Sequence, residues 1–310
     1  MVPTLLKRLP GYSAFYRLGY RHFSRFGTNP FLQFVPPGHF YSVIPDMKEV
    51  DARAKTLFHE PAACIGGVDT NDAEQLRLVG EWRDLQTDAV RYFAEADQGN
   101  ARYTTRGNAY FNTTDALVLQ CILRRFRSRR FVEVGSGFSS AVVLDTADRF
   151  LHRDVTCTFI DPEPGRLLSV ISSRDRERHR IFTKQVQDVP VEFFGELSSE
   201  DILFIDSSHV VKIGSDVNWL LTRVLPTLQT GVLVHFHDIV WPFENPEAWI
   251  REGRTWNECY FLRAFLQYNS AFRILFFTSY LACLHAAQLE QSMPLALMVP
   301  GQSLWLRKTV

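Results

Sequence analysis

From Arg129 onward short apolar runs alternate with segments of helix length. "FVEV", "VTCTFI", "RIFT", "DILFI" and "GVLVHF" each have the length and β-branched or aromatic content of a buried strand, and "FRILFF" and "SLWLRK" close the series. Runs without a polar face belong to a sheet covered on both sides, so the predicted fold is α/β: a doubly wound, mostly parallel, seven-stranded sheet. Upstream the period changes. Leu76, Val79, Trp82, Leu85, Ala89 and Tyr92 recur at helical spacing, and a second helix is predicted from the cap candidates Asn112 and Thr113 to Phe126. The change of period divides the chain into a helical appendage or lid over 1–125 and a sheet domain over 126–310.

The first 45 residues contain no acid, whereas Lys7, Arg8, Arg17, Arg21 and Arg25 are interleaved with Leu5, Leu6, Phe15, Tyr16, Tyr20, Phe23 and Phe26. Such a segment is expected to pack its aromatics on the main domain with its arginines in water. Peripheral contact of residues 1–26 with an anionic membrane surface is the competing reading. Over the 310 residues 34 basic and 34 acidic side chains cancel, which gives no electrostatic footprint for nucleic acid and favours a small-molecule partner. The five cysteines show no C-x-x-C spacing, so neither zinc site nor disulfide framework is indicated and a reducing compartment is expected. No apolar run approaches the roughly 18 residues of a membrane span and no leader is evident, so the expected location is cytoplasmic. Self-association into a homo-oligomer is compatible with all of this.

The chemistry is expected at the carboxyl ends of the strands. In "RRFVEVGSGFSS" Gly135 and Gly137 allow a tight turn and close approach of a ligand, and the next helix opens at Phe138 or Ser139 with free amides. Asp161 ends the second strand, where a carboxylate can accept hydrogen bonds from both hydroxyls of a ribose. Glu133 beside the turn would repel a pyrophosphate, and Ser140 stands where a dinucleotide fingerprint has its third glycine. An acid there suits S-adenosylmethionine, which carries an ammonium and a sulfonium but no phosphate. A phosphate-binding P-loop is excluded by the missing G-K-[ST].

At the ends of the fourth and fifth strands stand Asp206 and His209, then His235, His237 and Asp238. A hydroxyl attacking a methyl donor must lose its proton, and histidine is the natural base at neutral pH. His209 and His237 are the candidates, while His235 reads as a core histidine. Thr255 and Glu258 read as a capping box. The aromatic, proline-containing stretch "IVWPFENPEAWIREG" suits a substrate-covering loop, with Trp241, Phe243 and Trp249 either lining the acceptor pocket or anchoring the loop.

Together, "VEVGSGFSS", "FIDPEP", "ILFIDSSHV" and "VLVHFHDIVWP" resemble the successive sheet-end motifs of bacterial class I S-adenosylmethionine-dependent methyltransferases, in particular small-molecule O-methyltransferases similar to the macrocin type. The resemblance covers residues 129 to about 310, and "PPGHFYSVIPD" resembles a segment that some of these enzymes carry ahead of the catalytic domain. It implies a Rossmann-like fold and methyl transfer to an oxygen, less readily a nitrogen, of a small molecule such as a sugar or natural product. It implies that Glu133, Gly135 and Gly137 border the methionine moiety with Ser139 at the helix start, that Asp161 holds the ribose, and that Gln187 and Asp188 lie by the adenine. His39 and Tyr41 fall on the substrate side. Asp206 and Asp238 resemble ligands of a divalent cation, with His237 in place of a customary acid. The metal-free alternative has His237 or His209 as base, oriented by Asp206 or Asp238. A nicotinamide-dependent oxidoreductase and a non-catalytic cofactor-binding regulator remain as rival readings.

Overall fold

The computed structural model describes residue 35 and residues 37–58 and 62–310. Residues 1–26, the basic aromatic segment, lie outside the described residues. The chain divides into two units, Met1–His59 and Glu60–Val310. In the first, a turn closed by Gly38 N donating to the Ile44 carbonyl leads into α1 (Met47–Phe58), whose start is capped by the Asp46 carboxylate on Lys48 N.

In the second unit the seven predicted runs all form strands: β1 (Arg130–Val134), β2 (Thr156–Ile160), β3 (Arg180–Phe182), β4 (Ile202–Ile205), β5 (Leu233–Phe236), β6 (Phe272–Phe277) and β7 (Leu304–Lys308). Their order is β3-β2-β1-β4-β5-β7-β6. β1 to β5 run parallel, and β7 is antiparallel to both β5 and β6. The order reverses between β1 and β4, and the crevice beyond the carboxyl ends of strands at such a switch is where a ligand enters. Register makes that crevice specific: Val134 pairs with Ile160 and with Ile205, and Ile205 with Phe236. The next residues, Gly135, Asp161, Asp206 and His237, therefore emerge side by side.

Within this second unit the helices ahead of β1 are not an appendage. The stretch with helical spacing forms α2 (Asp72–Glu81) and α3 (Leu85–Ala96), and the helix predicted after Asn112 is α4 (Thr113–Phe126). Asn112 caps α4 with its side-chain oxygen on Thr114 N and Asp115 N. Leu78, Val79, Trp82, Tyr92 and nearly the whole of α4 join the sheet residues in one hydrophobic core. The expected boundary at residue 125 is thus corrected to 59/60. The change of period marks where strands begin, not where the core ends. α5 (Phe138–Phe150) follows β1, and α6 (Glu258–Leu266) is the longer of two helices between β5 and β6. No helix among the described residues is long and apolar enough to cross a membrane.

Candidate active site

A cleft of about 1020 Å³ opens over the carboxyl ends of β1, β2, β4 and β5. At one end, Gly135 has φ +80°, and a Cβ on it would lie 1.7 Å from the Asp206 carbonyl oxygen. Only glycine satisfies both the left-handed backbone and the contact with the end of β4. Gly137 is extended and its amide donates to Ser140 Oγ at 3.0 Å. Asp161 holds the turn from the side: its carboxylate accepts from Ser136 N at 2.9 Å and from Glu163 N at 2.8 Å while facing the cleft. Gln187 lines the cleft and donates to the Gly214 carbonyl at 2.7 Å.

At the other end Asp206, His209 and Asp238 converge. His209 Nε2 is 3.4 Å from Asp206 Oδ1 and 3.5 Å from Asp238 Oδ2, while Nδ1 is 3.0 Å from Glu258 Oε2. Both His209 (φ 59°) and Asp238 (φ 57°) have left-handed backbone, which aims their side chains where an extended continuation of the strands would not. One donor atom from each of Asp206, His209 and Asp238 falls within 4.8 Å of the others. Burial opposes charge on His209, but Asp206 and Glu258 hold its ring well above the ordinary histidine range. Burial likewise opposes ionisation of Asp206, yet the neighbouring His237 and His209 hold its carboxyl below the usual range. Two acids and an imidazole facing one point form a locus for positive charge, either a proton or a metal ion.

Residues 132–239 match the family model of a methyltransferase domain. An uncharacterized protein of Archaeoglobus fulgidus is 32% identical over 174 residues, 54% of this chain and 75% of the relative. The chain carries a methyltransferase domain. Among solved structures it is similar to the O-methyltransferase TomG of Streptomyces achromogenes, involved in tomaymycin synthesis (15% identity, TM-score 0.43, 72% of this chain and 90% of that one). It is also similar to a putative O-methyltransferase of Klebsiella pneumoniae (11% identity, TM-score 0.42, 72% and 90%).

In this methyltransferase several expected site residues stand elsewhere. Glu133 is fully buried beneath the turn, where its two oxygens accept from the Ser139 and Ser140 hydroxyls, and burial pushes its pKa up to about 8. It supports the turn from below and does not line the cleft. His237 is 2% exposed, packed on Phe111 at 5.2 Å, and neither ring nitrogen has a hydrogen-bond partner among the described residues. His209 stands in the metal-compatible group in place of His237, which follows β5 directly and is buried beside His235, its Nε2 3.7 Å from Asp238 Oδ1. Asp188 is exposed on the short turn 186–188 and does not line the cleft, whereas its neighbours Val186 and Gln187 do. Trp241 and Phe243 are buried against Tyr280 (4.7 Å) and Phe277 (5.3 Å), so they anchor the loop. Trp249 lines the cleft, joined by Trp256, whose ring lies 4.4 Å from that of His209. His39 and Tyr41 belong to the first unit, where their rings lie against Phe40.

Sequence reasoning missed Tyr110, Arg166, Lys212 and Arg254, which all line the cleft. The Arg166 guanidinium stacks 3.9 Å over Tyr110, and the Arg254 guanidinium lies 5.0 Å over Trp256. An arginine six residues beyond β2 carries no local signal of its own, since only the tertiary path brings it over the glycine turn. Glu258 was misread as well: α6 begins at Glu258, its flanking Asn257 makes no side-chain cap, and the Glu258 carboxylate goes to His209.

Proposed function

We propose that this methyltransferase moves the methyl group of S-adenosylmethionine to an oxygen of a small molecule bound at the Asp206, His209 and Asp238 end of the cleft. The observation that carries the reading is the continuity of one cleft from the glycine turn and Asp161 to that charged group. When bound, S-adenosylmethionine supplies an electrophilic methyl on a sulfonium. The chain supplies position. Asp161 would accept from the ribose hydroxyls, Gln187 and Val186 would border the adenine, and the turn at Gly135 to Gly137, with Arg166 above it, would face the methionine end. Trp249 and Trp256 then wall the acceptor side. Displacement at a methyl needs the acceptor oxygen in line with the departing sulfur, so rigid walls act directly on rate.

Asp206, Asp238 and His209 would hold a divalent cation, whose chemistry is to polarise the acceptor hydroxyl and lower the cost of its deprotonation. Two carboxylates and an imidazole suit manganese, iron or zinc better than magnesium. The geometry favours this over His209 as a free base, because a ring held protonated between two carboxylates is slow to accept a further proton, whereas it gives its Nε2 proton up on metal binding. The five free cysteines support a reducing, cytoplasmic setting.

Turnover of S-adenosylmethionine with a panel of hydroxylated acceptors, before and after exhaustive chelation, tests the reading. We expect activity to fall at least about a hundredfold on chelation, to return with one added cation, and to stay absent in Asp206→Asn. Full turnover without metal would leave the histidine-base route instead.

A further inference from the structure

We propose that Glu258 is the positioning residue that fixes the ring of His209. Its carboxylate is 2% exposed and lies 3.0 Å from His209 Nδ1, so Nδ1 carries a proton toward it and Nε2 is turned to face Asp206 and Asp238. The backbone is laced at the same place. The amides of Asn257 and Glu258 both donate to the His209 carbonyl at 3.2 Å, and the Asn257 side chain accepts from Val211 N at 2.6 Å and donates to the Val211 carbonyl at 3.2 Å. Thus the start of α6 clamps the loop after β4 at two levels, and this clamp sustains the left-handed backbone at His209. Trp256 closes the face of the ring at 4.4 Å.

A purely architectural role fits Glu258 poorly. Its other oxygen, Oε1, is buried with no hydrogen-bond partner among the described residues, so the desolvation of the carboxylate is offset by His209 and little else. A leucine of similar volume would serve packing better. An acid that orients an imidazole through its far nitrogen typically acts on rate or affinity by 10- to 100-fold when removed. The orientation follows from the contacts alone; only its kinetic consequence rests on the proposed methyl transfer.

The test uses the full chain labelled with ¹⁵N-histidine, with the His209 signals assigned by their loss in His209→Asn. In the wild type His209 Nδ1 should carry a slowly exchanging, downfield proton, whether or not a cation is present. Glu258→Leu should lose that signal and lower kcat about 10- to 100-fold while the Kd for S-adenosylmethionine changes less than about twofold. Glu258→Gln, which keeps the volume and one acceptor oxygen, should retain the Nδ1 proton with a smaller shift and recover part of kcat; it decides the matter if the leucine variant does not fold. An unprotonated Nδ1 in the wild type, or an Nδ1 signal or kcat untouched by either substitution, would overturn the proposal. A wild type that transfers no methyl would sink the functional reading, while the Nδ1 signal still decides on Glu258.

Discussion

At the glycine end of the cleft the site is made by backbone, whereas at the acid and histidine end it is made by side chains drawn from separate loops. The first is local: Gly135, Ser136 and Gly137 are consecutive, and one acid from the adjacent strand, Asp161, fastens them. The second needs β4 for Asp206, the loop after it for His209, the end of β5 for Asp238, and α6 for Glu258. A site of the first kind tolerates no added atom but draws little on charge. A site of the second kind can keep its shape after a substitution and still lose its chemistry. Substitutions at the two ends should therefore fail in different ways.

The largest expected effect is steric. In Gly135→Ala the new methyl collides with the carbonyl of Asp206 on a strand that cannot retreat, and the backbone is left-handed besides. We expect a loss of about 3–5 kcal/mol in stability by denaturant titration, together with loss of cofactor binding. Gly137→Ala is the control. Its backbone is extended, and the atom in the way is Cδ of Arg166, the middle of a flexible, exposed side chain, so about 1 kcal/mol or less is expected. Equal losses at the two glycines would break the contrast between a backbone-built end and a side-chain-built one.

Asp161 comes next. Asp161→Ala should weaken S-adenosylmethionine by about 1–3 kcal/mol in calorimetry, the scale of hydrogen bonds to a charged group. Because the same carboxylate fastens Ser136 N, part of that loss is expected to persist for a fragment of the cofactor that lacks the ribose hydroxyls. Unchanged affinity, or a preference for NADH, would remove Asp161 from the ribose.

How far the sequence could be read follows the same division. All seven strands and the capped α4 were legible because each depends on a local period or a local cap. The glycine turn was legible for the same reason. His237 was placed with Asp238 at the metal-compatible group because it stands where the resembled family has an acid, yet beyond the end of β5 the left-handed backbone turns Asp238 to the cleft while His237 stays buried. Glu258 was read as a cap because T-x-x-E is a local pattern, but α6 begins two residues later than that pattern requires and the carboxylate was taken by a histidine 49 residues away. Arg166 and Arg254 left no trace in any period, since the path of the chain alone carries them to the cleft.

Glu133 sharpens the comparison most finely, since it is a side chain placed at the backbone-built end. The sequence argument gave it an electrostatic role toward a cationic cofactor, whereas in the fold it is fully buried and its pKa is pushed up to about 8 by burial, against the two serine hydroxyls that favour its charge. The unfolded chain releases this proton near 4.5 and the folded chain near 8, so between those values the native state holds more protons than the unfolded one. Its contribution to stability is complete below about pH 4.5 and is lost progressively as the pH rises to about 8. Glu133→Gln carries no titrating proton and should flatten the apparent stability between pH 5 and 8 by on the order of 1–3 kcal/mol relative to the wild type, with the difference growing toward the alkaline side. The measurement is denaturant titration of both proteins across that range. Parallel curves would mean that Glu133 is already ionised in the fold, and would restore a charged acid, and with it an electrostatic role, to the glycine end of the cleft.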